Sequence, residues 1–225
     1  MPRNPSTTRR VIIRFGLAWV FLPLFFLLTG GSLGWWEAWT YCAVLLVPMA
    51  IFVLRMLRKD PDFLESRLKL REKERTQQRV VSWGMPIFLA LMLLPGLDRR
   101  FAWSAIPTPA VVAAQVLALA GYLGVLWVFS VNRWAGRTVE TRPGQVVITT
   151  GPYAIVRHPM YTSVLLLYLA TPVALGSWWA MIPAVLCVAL LVVRIGSEEE
   201  VLVRELPGYA EYRARVRYRL LPGVW

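Results

Sequence analysis

The chain has 225 residues, of which 57% are hydrophobic, and carries a formal net charge of +12. This length has room for one domain, and the apolar residues gather in long runs, which predicts an integral membrane protein and excludes an ordinary soluble fold. The basic residues lie mostly between the apolar runs, as the positive-inside pattern requires, so the charge does not indicate nucleic-acid binding.

The apolar runs predict an all-α fold of six helices that make five or six membrane spans. The predicted bounds are about 11–29, 36–57, 80–97, 108–130, 160–176 and 178–205. The third helix is expected to be short, because Pro86 interrupts it. Gly176 and Ser177 alone separate the last two helices, which predicts a tight antiparallel hairpin. The fifth helix, at about sixteen residues, is short for a full span.

Two polar segments flank this helical framework. Residues 60–79 join the second and third helices, and Phe63, Leu64 and Leu68 fall on one helical face there. A short helix in the lipid headgroup region and a solvated connector are both compatible with this pattern. After Pro207-Gly208, four residues recur at helical spacing and predict a cytoplasmic amphipathic helix packed under the bundle. These are Tyr209, Tyr212, Val216 and Leu220.

The distribution of basic residues predicts the orientation. Of the 25 lysines and arginines, only Arg99 and Arg100 lie in a connection that six spans place outside the cell. We therefore expect both termini and the segment 151–161 to be cytoplasmic, and we expect the membrane to be the inner membrane of a bacterium.

The segment 151–161, GPYAIVRHPMY, holds the single histidine of the chain, His158. Pro159 disfavours the α region for His158 and is tolerated in the first turn of the helix that follows. The sequence thus predicts a polar, non-helical loop at the start of a membrane helix. Irregular backbone at the membrane edge survives when it is buried in protein or lines a wet cavity, so a functional site is expected here.

A second polar cluster lies where the sixth helix leaves the membrane, between Arg194 and Glu200. Arg194 and Glu198 are four residues apart and share a helix face, so they are either site residues or an ion pair that contributes at most about 0.5 kcal/mol. Glu199 is an open case, and Glu200 is expected to face solvent. No multi-histidine metal site is possible, and the two cysteines indicate neither a disulfide framework nor a metal site.

The two clusters together resemble the isoprenylcysteine carboxyl methyltransferase family and its relatives, the membrane phospholipid methyltransferases, in a bacterial form. Those enzymes share an Arg-His-Pro-x-Tyr motif and a downstream Glu-Glu pair, here residues 157–161 and 198–199. Supporting matches are Asn132, the run 144–147, Arg194-Ile195 and Tyr209 with Tyr212. The resemblance covers about 130–222, so residues 1–225 are interpreted as one membrane domain, with 1–107 unmatched and 108–225 forming the methyltransferase-like core.

The resemblance implies a methyltransferase that uses S-adenosyl-L-methionine and no metal. It implies Arg194, Glu198 and Glu199 as catalytic residues, and Arg194 as the group that binds the substrate. The implied cofactor-binding residues are Gln145, Val146, Val147, Ile148, Tyr153, His158, Pro159, Met160, Tyr161 and Glu198. The expected partners are membrane lipids and a lipidic small-molecule or lipidated acceptor.

Three chemistries remain open for this site. Carboxyl O-methylation is the first expectation, since an ionised carboxylate needs no base and Arg194 can hold it bidentately. Phospholipid amine N-methylation requires a base, for which Glu198 or Glu199 is a candidate. An NADPH-dependent sterol-type reductase is the third, although such enzymes show an Asn-Tyr pair in place of the motif at 157–161. A transporter or scaffold would bury polar groups in mid-span, whereas the sequence gathers them at one end.

Overall fold

A computed structural model describes residues 5–61, 63–64, 75–135 and 144–225. Within these ranges the chain is helical or irregular and contains no strand. The helices are α1 (Pro5–Gly30), α2 (Trp36–Lys59), α3 (Arg75–Phe101), α4 (Thr108–Val131), α5 (Pro159–Ala174), α6 (Met181–Glu205) and α7 (Tyr209–Arg215), with a 3-10 turn at Gly151–Ala154. In α1, α2, α4 and α6 the apolar stretch is long enough to cross a membrane. Within these ranges the predicted all-α architecture is confirmed, with apolar helices suited to a membrane, and the count of five or six spans stays a prediction.

The helices pack as a bundle in which α4 lies along α5, α3 along α6, and α1 along both α2 and α3. The α4–α5 contact is close because Gly121 and Gly124 face α5. A Cβ atom added to Gly121 would lie 2.9 Å from the backbone oxygen of Ser163. Small residues let two helix backbones approach in this way. Inside a membrane no hydrophobic effect drives helices together, so van der Waals packing between the helices takes over that role.

The bundle has two ends, defined by side-chain contacts between elements. The far end joins the α1–α2 connection, the C-terminus of α3 and the α5–α6 connection. Arg100 donates from Nη2 to the backbone oxygen of Leu28 at 2.7 Å, and the backbone N–H of Trp178 donates to Ser104 Oγ at 3.1 Å. The near end holds residues 144–161 and 198–225, together with the ends of α2 and α4.

The α5–α6 connection is longer than the sequence predicts. Residues 175–180 join the two helices, so the expectation that only Gly176 and Ser177 separate them was wrong. Asp98, at the end of α3, accepts hydrogen bonds from Ser177 Oγ at 2.5 Å and from Ser104 Oγ at 2.6 Å. This buried network fixes the connection in a non-helical conformation, because Ser177 Oγ also accepts from the N–H of Ala180.

Buried polar groups therefore occur at both ends, which corrects the expectation that they gather at one. Besides Asp98, the far half of the bundle buries Gln115 and Thr171. Gln115 donates from Nε2 to the backbone oxygens of Glu37 and Ala174 at 2.9 and 2.8 Å. These bonds link α4 to α2 and α5, so the far-end polar groups are connectors between helices.

The third helix is continuous over 27 residues, although it contains Pro86 and Pro95. The expectation that Pro86 makes it short was wrong. A proline removes one backbone hydrogen bond, and neighbouring helices in a membrane bundle keep such a helix in place. Here α1 and α6 pack on either side, and Gly96 lies so close to Thr29 of α1 that a Cβ atom would overlap it.

At the near end, Phe63 and Leu64 are buried in the protein rather than facing lipid headgroups or solvent. They pack with Val11 of α1 and Val53 of α2, and Phe129 of α4 lies against the same cluster. This differs from both interpretations that the sequence left open for these two side chains. Leu68, the third residue of the predicted face, lies outside the described residues.

The C-terminal helix is shorter than predicted. Helix α7 ends at Arg215, and Val216 is extended with φ −98° and ψ 96°. Arg157 Nη1 donates hydrogen bonds to the backbone oxygens of Val216 and Arg217 at 2.8 and 2.7 Å. In a longer helix these oxygens would accept hydrogen bonds from the next turn of the helix instead. The amphipathic pattern therefore predicts the helix correctly as far as Tyr212. Beyond it, the backbone oxygens of Val216 and Leu220 accept hydrogen bonds from distant parts of the chain, and these two residues lie outside the helix.

Candidate functional site

A cleft opens at the near end of the bundle, between the loop that enters α5 and the outgoing end of α6. Its empty space, open mouth included, amounts to about 760 Å³. Four segments build its wall: the end of α4, the extended run 145–148, the loop 153–161 and the stretch from Glu198 to Tyr212. We call this the near-end cleft.

The loop that enters α5 is held in place by the C-terminal segment. Gly151 adopts φ +60° to begin the 3-10 turn, a conformation that glycine takes without strain. The backbone N–H groups of Arg157 and His158 then donate to the oxygens of Tyr218 and Arg219 at 2.9 and 3.0 Å. The irregular loop is thus satisfied by protein, as backbone near a hydrocarbon layer must be.

Glu199 is the centre of a buried charge network behind the wall of the cleft. Its side chain is 4% exposed, Oε1 accepts from Arg157 Nε at 2.6 Å and from His158 Nε2 at 3.2 Å, and Oε2 accepts from Arg219 Nε at 2.9 Å. One carboxylate therefore joins α6, the loop before α5 and the C-terminal segment. Arg219 also stacks its guanidinium 5.0 Å from the ring centre of Trp225.

Tyr161, in the first turn of α5, connects the two charged residues of α6 that face the cleft region. Arg194 Nε donates to the phenol oxygen of Tyr161 at 2.8 Å, and this hydroxyl donates to Glu198 Oε2 at 2.5 Å. The tyrosine also stacks on His158, with ring centres 5.7 Å apart. The relay of arginine, tyrosine and glutamate fixes the orientation of the Glu198 carboxylate at the wall.

The opposite wall is a set of aromatic rings tied to the end of α4. The side-chain oxygen of Asn132, just after α4, accepts hydrogen bonds from the N–H groups of Trp134 and Ala135, and its amide donates to the hydroxyl of Tyr153 at 2.8 Å. The hydroxyl of Tyr212, on α7, donates to the backbone oxygen of Tyr153 at 2.8 Å. These bonds set the width of the cleft between α4 and α7.

Tyr209 differs from its neighbours in this wall. The residue is 4% exposed, and its hydroxyl has no hydrogen-bond partner among the described residues. Burial raises the pKa of Tyr209 and also that of Tyr212, so both phenols keep their protons at neutral pH. A protonated phenol both donates and accepts hydrogen bonds.

All of the residues predicted to bind the cofactor line the cleft. They are Gln145, Val146, Val147, Ile148, Tyr153, His158, Pro159, Met160, Tyr161 and Glu198. Among the described residues, Arg194 and Glu199 are not part of the lining: Arg194 reaches it through Tyr161, and Glu199 lies behind His158. Glu200 is exposed, as expected.

Other lining residues were not predicted as site residues. They are Asn132, Trp134, Ala135, Arg157, Leu202, Leu206, Tyr209 and Tyr212. Leu202 and Leu206 follow Glu198 at steps of four, so helical spacing on α6 was a usable signal for them. The sequence assigns Asn132 no role beyond the resemblance, and it assigns Tyr209 and Tyr212 only to the predicted amphipathic helix and to the resemblance.

The comparisons with known proteins agree with this geometry. Residues 109–208 match the model of a family described as phospholipid methyltransferase. The matched region begins in α4 and ends beyond α6, so it includes all of the lining residues of the near-end cleft except Tyr209 and Tyr212. A comparison with curated proteins found no match for the chain. The resemblance to membrane methyltransferases that the motifs predicted is thereby confirmed, as a similarity of residues 109–208 to the phospholipid methyltransferase family.

Proposed function

We propose that the protein is an S-adenosylmethionine-dependent methyltransferase that binds its cofactor in the near-end cleft, on the cytoplasmic face of a bacterial inner membrane. Its acceptor is a lipidic or lipidated molecule. One observation carries the proposal: the ten residues that the family resemblance implies for the cofactor all line a single cleft, within the region that matches a methyltransferase family.

The lining fits this cofactor chemically. S-adenosylmethionine carries an ammonium group and a sulfonium, and Glu198 offers a carboxylate at the wall whose orientation is fixed by Tyr161. Aromatic and aliphatic side chains surround this charge, as in most small-molecule sites, where a few placed polar groups set the orientation. The buried hydroxyl of Tyr209 is a further hydrogen-bonding group without a partner in the described protein.

Bound S-adenosylmethionine supplies a methyl group on a sulfonium, which is reactive without further activation. The residues of the chain then bind, orient and exclude water. Glu198 binds positive charge, and His158, Pro159 and Met160 form the wall beside it. Arg194 fixes Tyr161 and lies deeper along α6, where an acceptor carboxylate that enters from the lipid would meet it.

We assign Glu199 a positioning role in place of the base suggested by its sequence position. Both of its oxygens accept hydrogen bonds from cationic or imidazole groups, and Glu198 accepts from Tyr161. A carboxylate acceptor needs no base, so this arrangement favours carboxyl O-methylation. The family description, phospholipid methyltransferase, favours amine N-methylation as the second candidate.

Calorimetry on the protein purified in detergent tests the cofactor site, with S-adenosylhomocysteine as the probe. Glu198→Ala is expected to weaken binding roughly ten- to a hundredfold, because charge-assisted hydrogen bonds contribute about 1.5–3 kcal/mol. Arg194→Ala is expected to bind the probe almost normally and to lose methyl transfer. Glu200→Ala, two residues beyond Glu198 on α6 and exposed, is the matched control and should change neither property.

Equal loss of both properties in the Glu198 and Arg194 variants would mean that the relay is a structural unit, and no division of roles would remain. The acceptor is identified separately, by incubation of the wild-type protein with labelled methyl donor and lipid vesicles. A methyl ester releases labelled methanol in alkali, whereas an N-methyl group does not. Label that is stable to alkali would replace carboxyl methylation with the amine candidate.

A further inference from the structure

We propose that the hydroxyl of Tyr209 is a ligand-binding group that forms a hydrogen bond with the S-adenosylmethionine bound in the near-end cleft. This inference rests on the proposed function and adds to the site a residue of α7, which lies outside the motif residues 145–161 and 198. It depends on four features of Tyr209: its unsatisfied buried hydroxyl, the position of its ring, the charges around it and its contrast with Tyr212.

The first feature is an unsatisfied polar group in a buried place. Tyr209 is 96% buried, since only 4% of its surface is exposed, and its hydroxyl has no partner among the described residues. Nearly all buried polar groups in proteins are hydrogen-bonded, because an unsatisfied one loses its hydration without compensation. Because Tyr209 is one of the residues that line the cleft, its unsatisfied hydroxyl indicates a partner that the cleft receives from outside.

The second feature is the position of the ring. Gly208, with φ +81°, turns the chain sharply after α6, and the N–H of Tyr209 donates to the backbone oxygen of Leu206 at 3.1 Å. The ring then packs among Leu206 and Tyr212 at the wall. Its location is thus set by backbone and apolar contacts, and the hydroxyl is not needed to hold it there.

The charges around the hydroxyl indicate which part of the ligand it meets. Burial, and after it the carboxylates of Glu199 and Glu198, raise the pKa of Tyr209, and Glu198 lines the same cleft as Tyr209. Glu198 is the carboxylate on the cleft wall that attracts positive charge. We therefore place the Tyr209 hydroxyl beside the polar, cationic part of the ligand and away from any apolar part.

Tyr212 provides a natural comparison on the same helix. It lies three residues away, it also lines the cleft and it is also buried, at 2% exposed. Its hydroxyl, however, donates to the backbone oxygen of Tyr153 at 2.8 Å. The two tyrosines of this short helix therefore differ in the hydrogen bond of the hydroxyl group. The hydroxyl of Tyr212 forms its bond within the protein and stabilises it, whereas the hydroxyl of Tyr209 can bind the ligand.

The experiment compares Tyr209→Phe with Tyr212→Phe, each measured by calorimetry with S-adenosylhomocysteine and by thermal unfolding without ligand. Tyr209→Phe is expected to bind the probe roughly three- to tenfold more weakly, the usual effect of one neutral hydrogen bond. Its ligand-free Tm should be unchanged or raised, since the substitution removes only an unsatisfied hydroxyl. Tyr212→Phe should lower the ligand-free Tm, because it breaks an internal bond.

The outcomes separate this inference from the function on which it rests. If the wild-type protein fails to bind S-adenosylhomocysteine, the proposed cofactor and the role of Tyr209 are both overturned. If the wild type binds and Tyr209→Phe binds equally well, the cofactor site stands and the role of Tyr209 is overturned. A lower ligand-free Tm with unchanged affinity in Tyr209→Phe would assign the hydroxyl to an internal partner and also overturn the inference.

Discussion

Glu199 shows how a single buried carboxylate can organise a site that it does not line. Burying a charge is unfavourable unless partners compensate for the lost hydration, and Glu199 has three such partners on two other segments. Because those partners include His158 and Arg157, the shape of the loop that lines the cleft depends on this carboxylate. Its neighbours on α6, Glu198 and Glu200, face the cleft and solvent.

Glu199→Ala is therefore expected to destabilise the protein by about 3–5 kcal/mol, because it leaves buried cationic groups without a counter-charge. The Tm in detergent should fall by roughly 6 °C or more for a chain of this size. Affinity for S-adenosylhomocysteine should fall as well, since His158 loses its orienting partner. Glu200→Ala is the control and should shift stability by less than about 0.5 kcal/mol. A stable Glu199→Ala protein that has lost only catalysis would restore the role of base.

The sequence predicted both members of this acidic pair as catalytic residues and Glu198 also as a cofactor-binding residue, but it did not predict that Glu199 is buried in a charge network. Successive residues of a helix point about 100° apart, so Glu198 and Glu199 necessarily face different surroundings. Which of them faces the cleft depends on Arg157 and Arg219, which lie 42 and 20 residues away along the chain. No pattern within α6 contains that information.

At the scale of helices, apolar runs predicted the elements well and their ends less well. The prediction for α4, 108–130, agrees with Thr108–Val131, because length and composition decide a membrane helix. The ends of α5 and α7 are decided instead by hydrogen bonds to distant groups, such as Ser177 to Asp98 and Arg157 to Val216. The first bond joins two side chains and the second takes up a backbone oxygen, and a local sequence pattern reveals neither of them.

The close contact of α4 and α5 gives a prediction about glycine. Gly121→Ala is expected to destabilise the protein by about 1–3 kcal/mol, because the new methyl group would press on the backbone oxygen of Ser163 and overpack the contact. Gly16→Ala is the matched control, since Gly16 lies within α1 and no atom would come within 4 Å of its Cβ. That substitution should be neutral or stabilise by up to about 1 kcal/mol through helix propensity. Unfolding in detergent measures both, and equal effects would contradict the packing argument.

For the whole molecule, the two ends of the bundle differ in a way that supports the proposed orientation. The near end carries the motif loop, the C-terminal segment and most of the described arginines. The far end carries Arg99 and Arg100 beside exposed aromatic residues such as Trp103 and Trp178. The order of apolar and basic segments predicted this division, whereas the width and lining of the near-end cleft required the folded chain.

Thiol labelling of whole cells tests the orientation. Leu33→Cys, at the far end, should react with a membrane-impermeant maleimide in intact cells, and Val224→Cys, at the near end, only after the membrane is disrupted. The two positions are 75% and 77% exposed, so accessibility within the protein is matched. The native Cys42 and Cys187 are each only 5% exposed, so their own reaction with the maleimide should give a low background. The reverse pattern would place the near-end cleft outside the cytoplasm.

The shortness of α5 has a consequence for the surrounding lipid. Its 16 residues measure roughly 24 Å at 1.5 Å per residue, whereas the hydrocarbon layer is about 30 Å thick. The bilayer must thin beside α5, or the motif loop must sit below the level of the headgroups. In both cases the distance along the membrane normal between the reactive group of a lipid and a water-soluble cofactor is shorter than it would be beside a helix that spans the full hydrocarbon layer. The thickness of the host membrane is thus expected to affect the proposed methyl transfer, so that acyl-chain length changes activity without any contact with the near-end cleft.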